Sequence, residues 1–244
     1  MDRALYVAMT GAKQIMQAQA ANAHNLANVS TTGFRQDLHE FMSLPIYGVG
    51  YPTRVNAVAA DAGTDWSSGT ISDTGRELDI AVNGKGFIAV QGADGKEAYT
   101  RAGDLQITAT GLLQTASGFP VMSDGNPVTL PPSTQVSIGG DGTITVVPLG
   151  LSPAAASQVD RIKLVSPPEK DLVKGTDGLF RLKSGARAAA SPDVRITSGA
   201  LESSNVNMAA SLINMIELQR LYEMQIKGIS TVDQNSQSAE RLMQ

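Results

Sequence analysis

The sequence predicts an α+β protein: one long helix at each end, the two paired as in a coiled coil, around a central all-β domain. Three observations predict it. Apolar residues recur at heptad spacing in the first thirty residues and again in the last forty. Short alternating segments punctuated by Asn-Gly and Asp-Gly turns fill the middle. The ends are rich in Ala, Gln, Met and Asn, whereas most Gly and Pro lie between them.

The first helical segment covers residues 1–35. Steps of four and three from Leu5 give Leu5, Met9, Ala12, Met16, Gln19, Ala23 and Leu26, a heptad stripe with one polar interruption. The helix should stop in the run from Asn28 to Gly33, where Val29, Thr31 and Thr32 are poor helix formers and Gly33 breaks the pattern. Residues 36–77 carry Pro45, Pro52 and several Gly and read as an extended connector with little regular structure.

Residues 78–200 read as the β domain. Leu78–Val82 forms a strand, Asn83-Gly84 a hairpin turn, and Phe87–Val90 its partner. Further turns fall at Asp94-Gly95, Asp124-Gly125 and Asp141-Gly142, between short strand-like pieces. Such strand density predicts a sandwich or closed sheet.

Residues 201–244 form the second helical segment. From Met208 the same stepping gives Met208, Leu212, Met215, Gln219, Tyr222, Ile226 and Ile229, with Asn205 or Asn207 as the cap. One helix over residues 206–243 would be roughly 55 Å long at 1.5 Å per residue. A stripe that narrow on a helix that long needs a partner helix. Both stripes are interrupted by Gln, and their other faces are mild and polar, which suits contact with several neighbours better than an ordinary bundle core.

Composition removes several function classes. A net charge of -4 with scattered Lys and Arg speaks against nucleic-acid binding and against a polybasic membrane surface. With no cysteine, disulfides, thiolate zinc sites and thiol nucleophiles are excluded. The opening Met1–Tyr6 lacks the features of a secretory leader, and no apolar run approaches the roughly 20 residues of a membrane span. Gly84-Lys85-Gly86-Phe87-Ile88-Ala89 matches a dinucleotide-binding pattern, but a strand follows it where a helix N-terminus is required. The two histidines, His24 and His39, lie in unlike segments without companions for a metal or a triad. A carboxylate enzyme would need Glu77, Asp79 and Asp104 together in one deep pocket. A secreted oligomeric β module that binds glycan or peptide would need aromatics clustered on an exposed face, and they are dispersed. The expectation is a non-enzymatic protein with no catalytic residues, no cofactor and no metal.

Three blocks then carry a resemblance. Asn25-Leu26-Ala27-Asn28-Val29-Ser30-Thr31-Thr32-Gly33-Phe34-Arg35 resembles the N-terminal signature of the bacterial flagellar rod and hook proteins. Glu202–Asn207 followed by Met215–Glu223 resembles their C-terminal signature, and Leu78–Phe87 with Tyr99–Gly103 and Gly111–Leu113 resembles their shared β domain. The opening nonapeptide, Arg161–Val165 and Asp177–Arg181 resemble proximal-rod members more than distal-rod ones, which remain the alternative within the family.

The resemblance implies a torque-transmitting structural subunit of the basal-body rod, needed for motility. It would be exported through the flagellar type III apparatus without a cleaved signal peptide and assemble in the periplasm with copies of itself and other rod proteins. It implies neither a nucleic-acid partner nor a direct membrane span. The stripe residues of both helices would form the assembly interface together with Asn25, Asn28, Gly33 and Phe34 of the signature. The ends would order only on assembly, in keeping with the small apolar area that an unpartnered stripe buries. Leu38, Phe41, Leu44 and Ile46 match the apolar patch of an export signal, or simply pack the connector.

Overall fold

A computed structural model describes residues 4–45, 55–150 and 153–242. The described chain is α+β and divides into two compact units, residues 1–29, 36–65 and 206–244 in the first and residues 30–35 and 66–205 in the second.

The first unit holds helix α1 (Ala4–Ala27), strands β1 (Asp37–Pro45) and β2 (Val55–Thr64), and helix α2 (Met208–Leu242). Helix α1 ends at Ala27, just before the run of poor formers, as the sequence indicates. Helix α2 starts where Asn207 caps it: Asn207 Oδ1 accepts from the Ala210 amide at 3.1 Å, satisfying one of the free N–H groups of the first turn. The connector is the first correction. Residues 36–77 were expected without regular structure, yet β1 and β2 pair antiparallel from Asp37↔Thr64 to Pro45↔Val55, with a bulge between Leu38 and His39. The signal was weak because β2 is rich in Ala, a poor strand former. Pro45 also reads as a breaker, but it stands at the strand's last residue, where no ladder donor is required.

The second unit is all-β. Its strands are β3 (Ile71–Asp73), β4 (Ile80–Asn83), β5 (Phe87–Gln91), β6 (Glu97–Thr100), β7 (Leu105–Ile107), β8 (Leu113–Thr115), β9 (Ser133–Ile138), β10 (Thr143–Pro148), β11 (Ser157–Arg161), β12 (Leu164–Val165), β13 (Leu172–Lys174), β14 (Phe180–Leu182), β15 (Arg195–Ser198) and β16 (Ala200–Glu202). A five-stranded sheet runs β12-β5-β6-β14-β13 and a three-stranded one β11-β10-β9, with the pairs β15-β4, β16-β3 and β7-β8 beside them. The turns Asp94-Gly95 and Asp141-Gly142 join paired strands, β5 to β6 and β9 to β10.

The turn Asn83-Gly84 does not make the expected hairpin. Strand β4 pairs with β15, through Asn83↔Arg195 to Ile80↔Ser198, while β5 pairs with β6 and β12. Three residues separate β4 from β5, one more than a two-residue hairpin turn allows. Gly84 and Gly86 both have positive φ, and a Cβ on Gly86 would press into the Val194 side chain.

Strand β5 is buried on both faces, which explains its unbroken apolar run. Ile88 and Val90 point into one core with Ile80, Val82, Leu105, Leu113 and Ile144. Phe87 and Ala89 point into a second with Tyr99, Met122, Val165, Leu172 and Phe180. Trp66 caps the second core, its ring 5.0 Å from Phe180 and 6.0 Å edge-on from Phe87. These aromatics therefore serve the interior, not an exposed binding face.

Candidate assembly surfaces

In the first unit, α1 and α2 lie against each other. The residues that α1 buries are Ala12, Ile15, Ala18, Asn22 and Asn25, spaced by three, three, four and three. Opposite them α2 buries Ser211 and half-buries Met215, Leu218, Tyr222, Gln225, Ile229 and Val232. The side chain of Asn22 donates to the Ser211 carbonyl at 2.7 Å, and Gly11 lies against the side chain of Gln225. The seam therefore mixes small and polar residues with Ile15, Met215, Leu218, Tyr222, Ile229 and Val232.

That differs from the apolar stripe read from the sequence. Ala12, Met215, Tyr222 and Ile229 lie in or beside the seam, and Leu5 and Leu26 are half-buried. Met9, Met16, Ala23, Met208, Leu212, Gln219 and Ile226 face outward. Stepping along the largest apolar side chains thus picks inner and outer positions together, because several inner positions hold Ala, Asn, Ser or Gln. The consequence is an exposed apolar surface. Met16 is 56% exposed, Ile216 54% and Met224 60%, alongside Met9, Leu212 and Ile213. Two heptad rows coexist on each helix, one closing the subunit and one facing outward.

At the end of α1 the side chain of Asn25 reads the backbone of Asp37 twice. Its Nδ2 donates to the Asp37 carbonyl and its Oδ1 accepts from the Asp37 amide, both at 2.9 Å. Asn25 thus acts as a strand partner for the first residue of β1. His24 Nδ1 lies 3.0 Å from the Asp37 carboxylate. Beside this joint, Asn22, Leu38, Phe41, Leu218 and Leu221 line an open cleft of about 370 Å³. Of the export-signal candidates, Leu38, Phe41 and Leu44 are exposed on β1, and Ile46 lies outside the described residues.

The second unit gathers the charged members of the signatures. Glu202 is 1% exposed. Its Oε1 accepts from Arg35 Nη2 at 2.6 Å and from the Gly69 amide at 3.0 Å, and its Oε2 accepts from Arg101 Nη1 at 2.9 Å. Arg101 also donates to the Gly84 carbonyl at 2.5 Å and lies over the Phe87 ring. Burial pushes the Arg101 guanidinium below the usual arginine range, and the adjacent Glu202 carboxylate opposes that shift.

Around this cluster the segment 31–35 is held by its backbone. The Gly33 amide donates to the Glu202 carbonyl at 2.8 Å, and the Asn205 amide donates to the Phe34 carbonyl at 3.3 Å. Lys174 donates to the Arg35 carbonyl at 2.7 Å with its ammonium 3.9 Å from the Phe34 ring centre. Gly33 sits at φ +66°, and a Cβ there would collide with the backbone of Arg101. Gly33 and Phe34 are thus buried in the β unit. Asn28 is half-buried and donates to the His24 carbonyl.

Arg35, Arg101 and Glu202 lie inside the signature blocks, but no period or spacing in the sequence gives them a role. The available signal was a charge embedded in an apolar or glycine-rich setting, as in Gly33-Phe34-Arg35 and Ala200-Leu201-Glu202. A charge in such a setting folds inward only if it is paired. Of the three carboxylates that a carboxylate enzyme would need, only Asp79 and Asp104 are directly opposed. Glu77 is exposed and accepts from Gln135 at 2.8 Å, while Asp79 is buried opposite Asp104.

Three family models match the chain in order. Residues 5–35 match the flagella basal body rod protein, residues 81–146 the flagellar hook protein FlgE/F/G D1 domain, and residues 197–242 the C-terminal part of the flagellar basal body rod FlgEFG protein. The flagellar basal-body rod protein FlgF of Salmonella typhimurium strain LT2 is 41% identical, over 100% of this chain and 99% of its own length. The chain belongs to the flagellar basal-body rod protein family. FlgF of Escherichia coli strain K12 matches at the same 41% over the same spans. A FlgG from Buchnera aphidicola subsp. Acyrthosiphon pisum is 34% identical over 98% of each chain. This rod protein is thus more similar to those two FlgF proteins than to that FlgG. The three matched segments contain the three charged residues of the buried cluster: Arg35 lies in the first, Arg101 in the second and Glu202 in the third.

Proposed function

We propose that this rod protein is a non-enzymatic structural subunit of the proximal part of the rod. In this reading it assembles with copies of itself and with other rod proteins into a tube that transmits torque across the periplasm. The observation that carries the reading is the second, outward heptad row on α1 and α2: large apolar side chains that the subunit's own fold leaves uncovered. The inner row pairs the two helices in the manner of a coiled coil, through Ala12, Met215, Tyr222 and Ile229 together with Ile15 and Ala18. The outer row, with Met9, Met16, Met208, Leu212 and Ile226, meets neighbouring subunits. A contact made between two different faces does not close on itself, so it propagates as a filament or tube. The hairpin β1–β2 belongs to this assembling part. The β unit, residues 30–35 and 66–205, is the spacer in this reading. Higher identity to the Salmonella and Escherichia FlgF proteins than to the FlgG relative supports the proximal over the distal position.

Export as an unfolded chain through the flagellar type III apparatus, without leader cleavage, follows from the same reading, with Leu38, Phe41 and Leu44 as candidate recognition residues. The test is complementation in a strain of the source bacterium that lacks this gene. The wild-type gene restores swimming and full-length rods in isolated basal bodies, while a variant carrying Met16→Lys and Ile216→Lys restores neither, although its purified chain keeps the wild-type melting curve. Restoration by that variant would remove the outer row from the interface.

A further inference from the structure

Asp79 and Asp104 are directly opposed in an isolated antiparallel bridge. Their side chains therefore leave the bridge on the same face, with Cβ atoms about 4.5–5.5 Å apart. Asp79 is 4% exposed. Oδ1 of Asp79 and Oδ1 of Asp104 are both buried, and neither accepts a hydrogen bond. The other oxygen of Asp79 accepts from Thr74 Oγ1 at 2.8 Å.

The charged groups around the pair are few. The turn before β4 supplies Asp73, Arg76 and Glu77. Asp73 is exposed and bonded to the Gly75 amide, and Glu77 is held by Gln135. Arg76 is half-exposed. Its Nη1 lies 3.2 Å from Asp79 Oδ1 without hydrogen-bond geometry, and its Nη2 donates to the Leu105 carbonyl. Strands β7 and β8 and the segment 198–200 supply no charge at all. One half-exposed guanidinium thus faces two carboxyl groups.

We propose that Asp79 and Asp104 share a single proton, carried by Asp104 and donated to Asp79, and that this proton latches the turn 74–79 to the start of β7. Two ionised carboxylates on one buried face would repel each other, and each would leave a desolvated oxygen without a hydrogen bond. One proton converts both unpaired acceptors into a single charge-assisted hydrogen bond. Burial pushes the Asp104 carboxyl up from the usual carboxylate range, its own backbone amide opposes the shift, the charge of Asp79 adds to it, and Arg76 opposes it. The latch lies at a crossing of backbone. The Gly199 amide donates to the Asp79 carbonyl at 2.7 Å, the Thr74 amide to the Gly199 carbonyl at 2.7 Å, and the Ile80 amide to the Gly103 carbonyl at 2.9 Å. Residue 199 leads directly into β16 and Glu202, so charge placed at the pair loosens the strand that carries the buried Glu202.

The sign follows from linkage. A carboxyl whose folded-state pKa is raised adds stability that is complete below its unfolded value and is lost as pH rises through the folded value. The test is a pH titration of the full chain carrying 13C-labelled aspartate, followed at the carboxyl carbons by NMR. Asp104→Asn and Asp79→Asn assign the two signals. We expect one carboxyl to stay protonated above the ordinary aspartate range, with the signal of its partner moving in parallel. Asp79→Asn should shift the Asp104 titration towards acid. Asp104→Asn, whose amide can donate to Asp79 in place of the proton, should flatten the decline of melting temperature with rising pH. If both carboxyls titrate independently in the ordinary range, or if Asp79→Asn leaves Asp104 unmoved, the shared proton is excluded. Either variant that folds assigns the pair, and the wild-type titration then decides the matter even if the other variant fails to fold.

Discussion

Arg35 Nη2 lies 2.6 Å from Glu202 Oε1, both side chains are 1% exposed, and 167 residues separate them in the chain. Their pairing, with Arg101 on the opposite oxygen, ties the segment that follows α1 to the strand that precedes α2. Removing one member of a buried ion pair strands the others without solvent, at a cost of about 3–5 kcal/mol. Glu202→Ala strands two guanidiniums, whereas Arg35→Ala leaves Glu202 still bonded to Arg101 and Gly69. Glu202→Ala should therefore lower the urea-unfolding free energy of the β unit more than Arg35→Ala does.

The same cluster sets where the chain can be cut. A fragment of residues 30–205 retains Arg35 and the backbone bonds of Gly33 and Phe34. A fragment of residues 36–205 loses them and leaves Glu202 with one guanidinium. The longer fragment should unfold cooperatively as a monomer at a higher urea midpoint than the shorter one. Equal midpoints would show that the segment 30–35 adds nothing to the β unit.

Asn25→Ala removes both hydrogen bonds to Asp37. An unmade buried hydrogen bond costs about 1–3 kcal/mol, and β1–β2 is a two-stranded ribbon that is marginal without support. Amide exchange at Asp37 should speed up markedly while exchange in β5 and β6 stays unchanged. Asn25→Asp, which keeps the acceptor and loses the donor, should fall between the two.

Single lysine substitutions on the outer heptad row should separate folding from assembly. Ile216 is exposed, so Ile216→Lys should change unfolding free energy by no more than about 0.5 kcal/mol. Swimming of a strain that depends on this variant should nevertheless fall sharply. A large loss of stability would mean that Ile216 packs within the subunit after all.

Acid should weaken the β unit at Asp177. Its carboxylate accepts from both terminal nitrogens of Arg181, at 3.0 and 2.7 Å, and this pairing holds it below the usual carboxylate range. A depressed folded-state pKa gives stability that is present above the unfolded value and lost as pH falls through the folded one. Asp177→Asn should reduce stability at neutral pH and flatten the acid limb of the stability curve below about pH 4.

What was legible in the sequence followed from period and punctuation. The two helices, the cap at Asn207 and the strands after Asp94-Gly95 and Asp141-Gly142 announce themselves through local chemistry. The partner of β4 does not, because Asn83-Gly84 signals a local turn while the ladder forms with Arg195–Ser198, over a hundred residues away. The helix seam was only partly legible, for a different reason. Hydrophobic stepping assumes that the largest apolar side chains face inward, and here Met16 and Ile216 face outward while Ala18, Asn22 and Ser211 face in. The roles of Arg35 and Glu202 were hidden because a buried ion pair has no sequence period. Only the odd placement of a charge among apolar and glycine neighbours marks them.

The half-open seam between α1 and α2 also has a mechanical consequence. On the α2 side Met215, Leu218, Tyr222, Ile229 and Val232 are only half-buried, and Ala12, Ala18, Asn22 and Ser211 add little apolar area, so separating the two helices costs little free energy per residue. Under a pull on the N-terminus α1 should peel away from α2 at low force, whereas the β unit, closed by Arg35, Arg101 and Glu202, should yield abruptly at a higher one. In a single-molecule pulling trace that difference would appear as a soft, reversible shoulder followed by a brittle rupture.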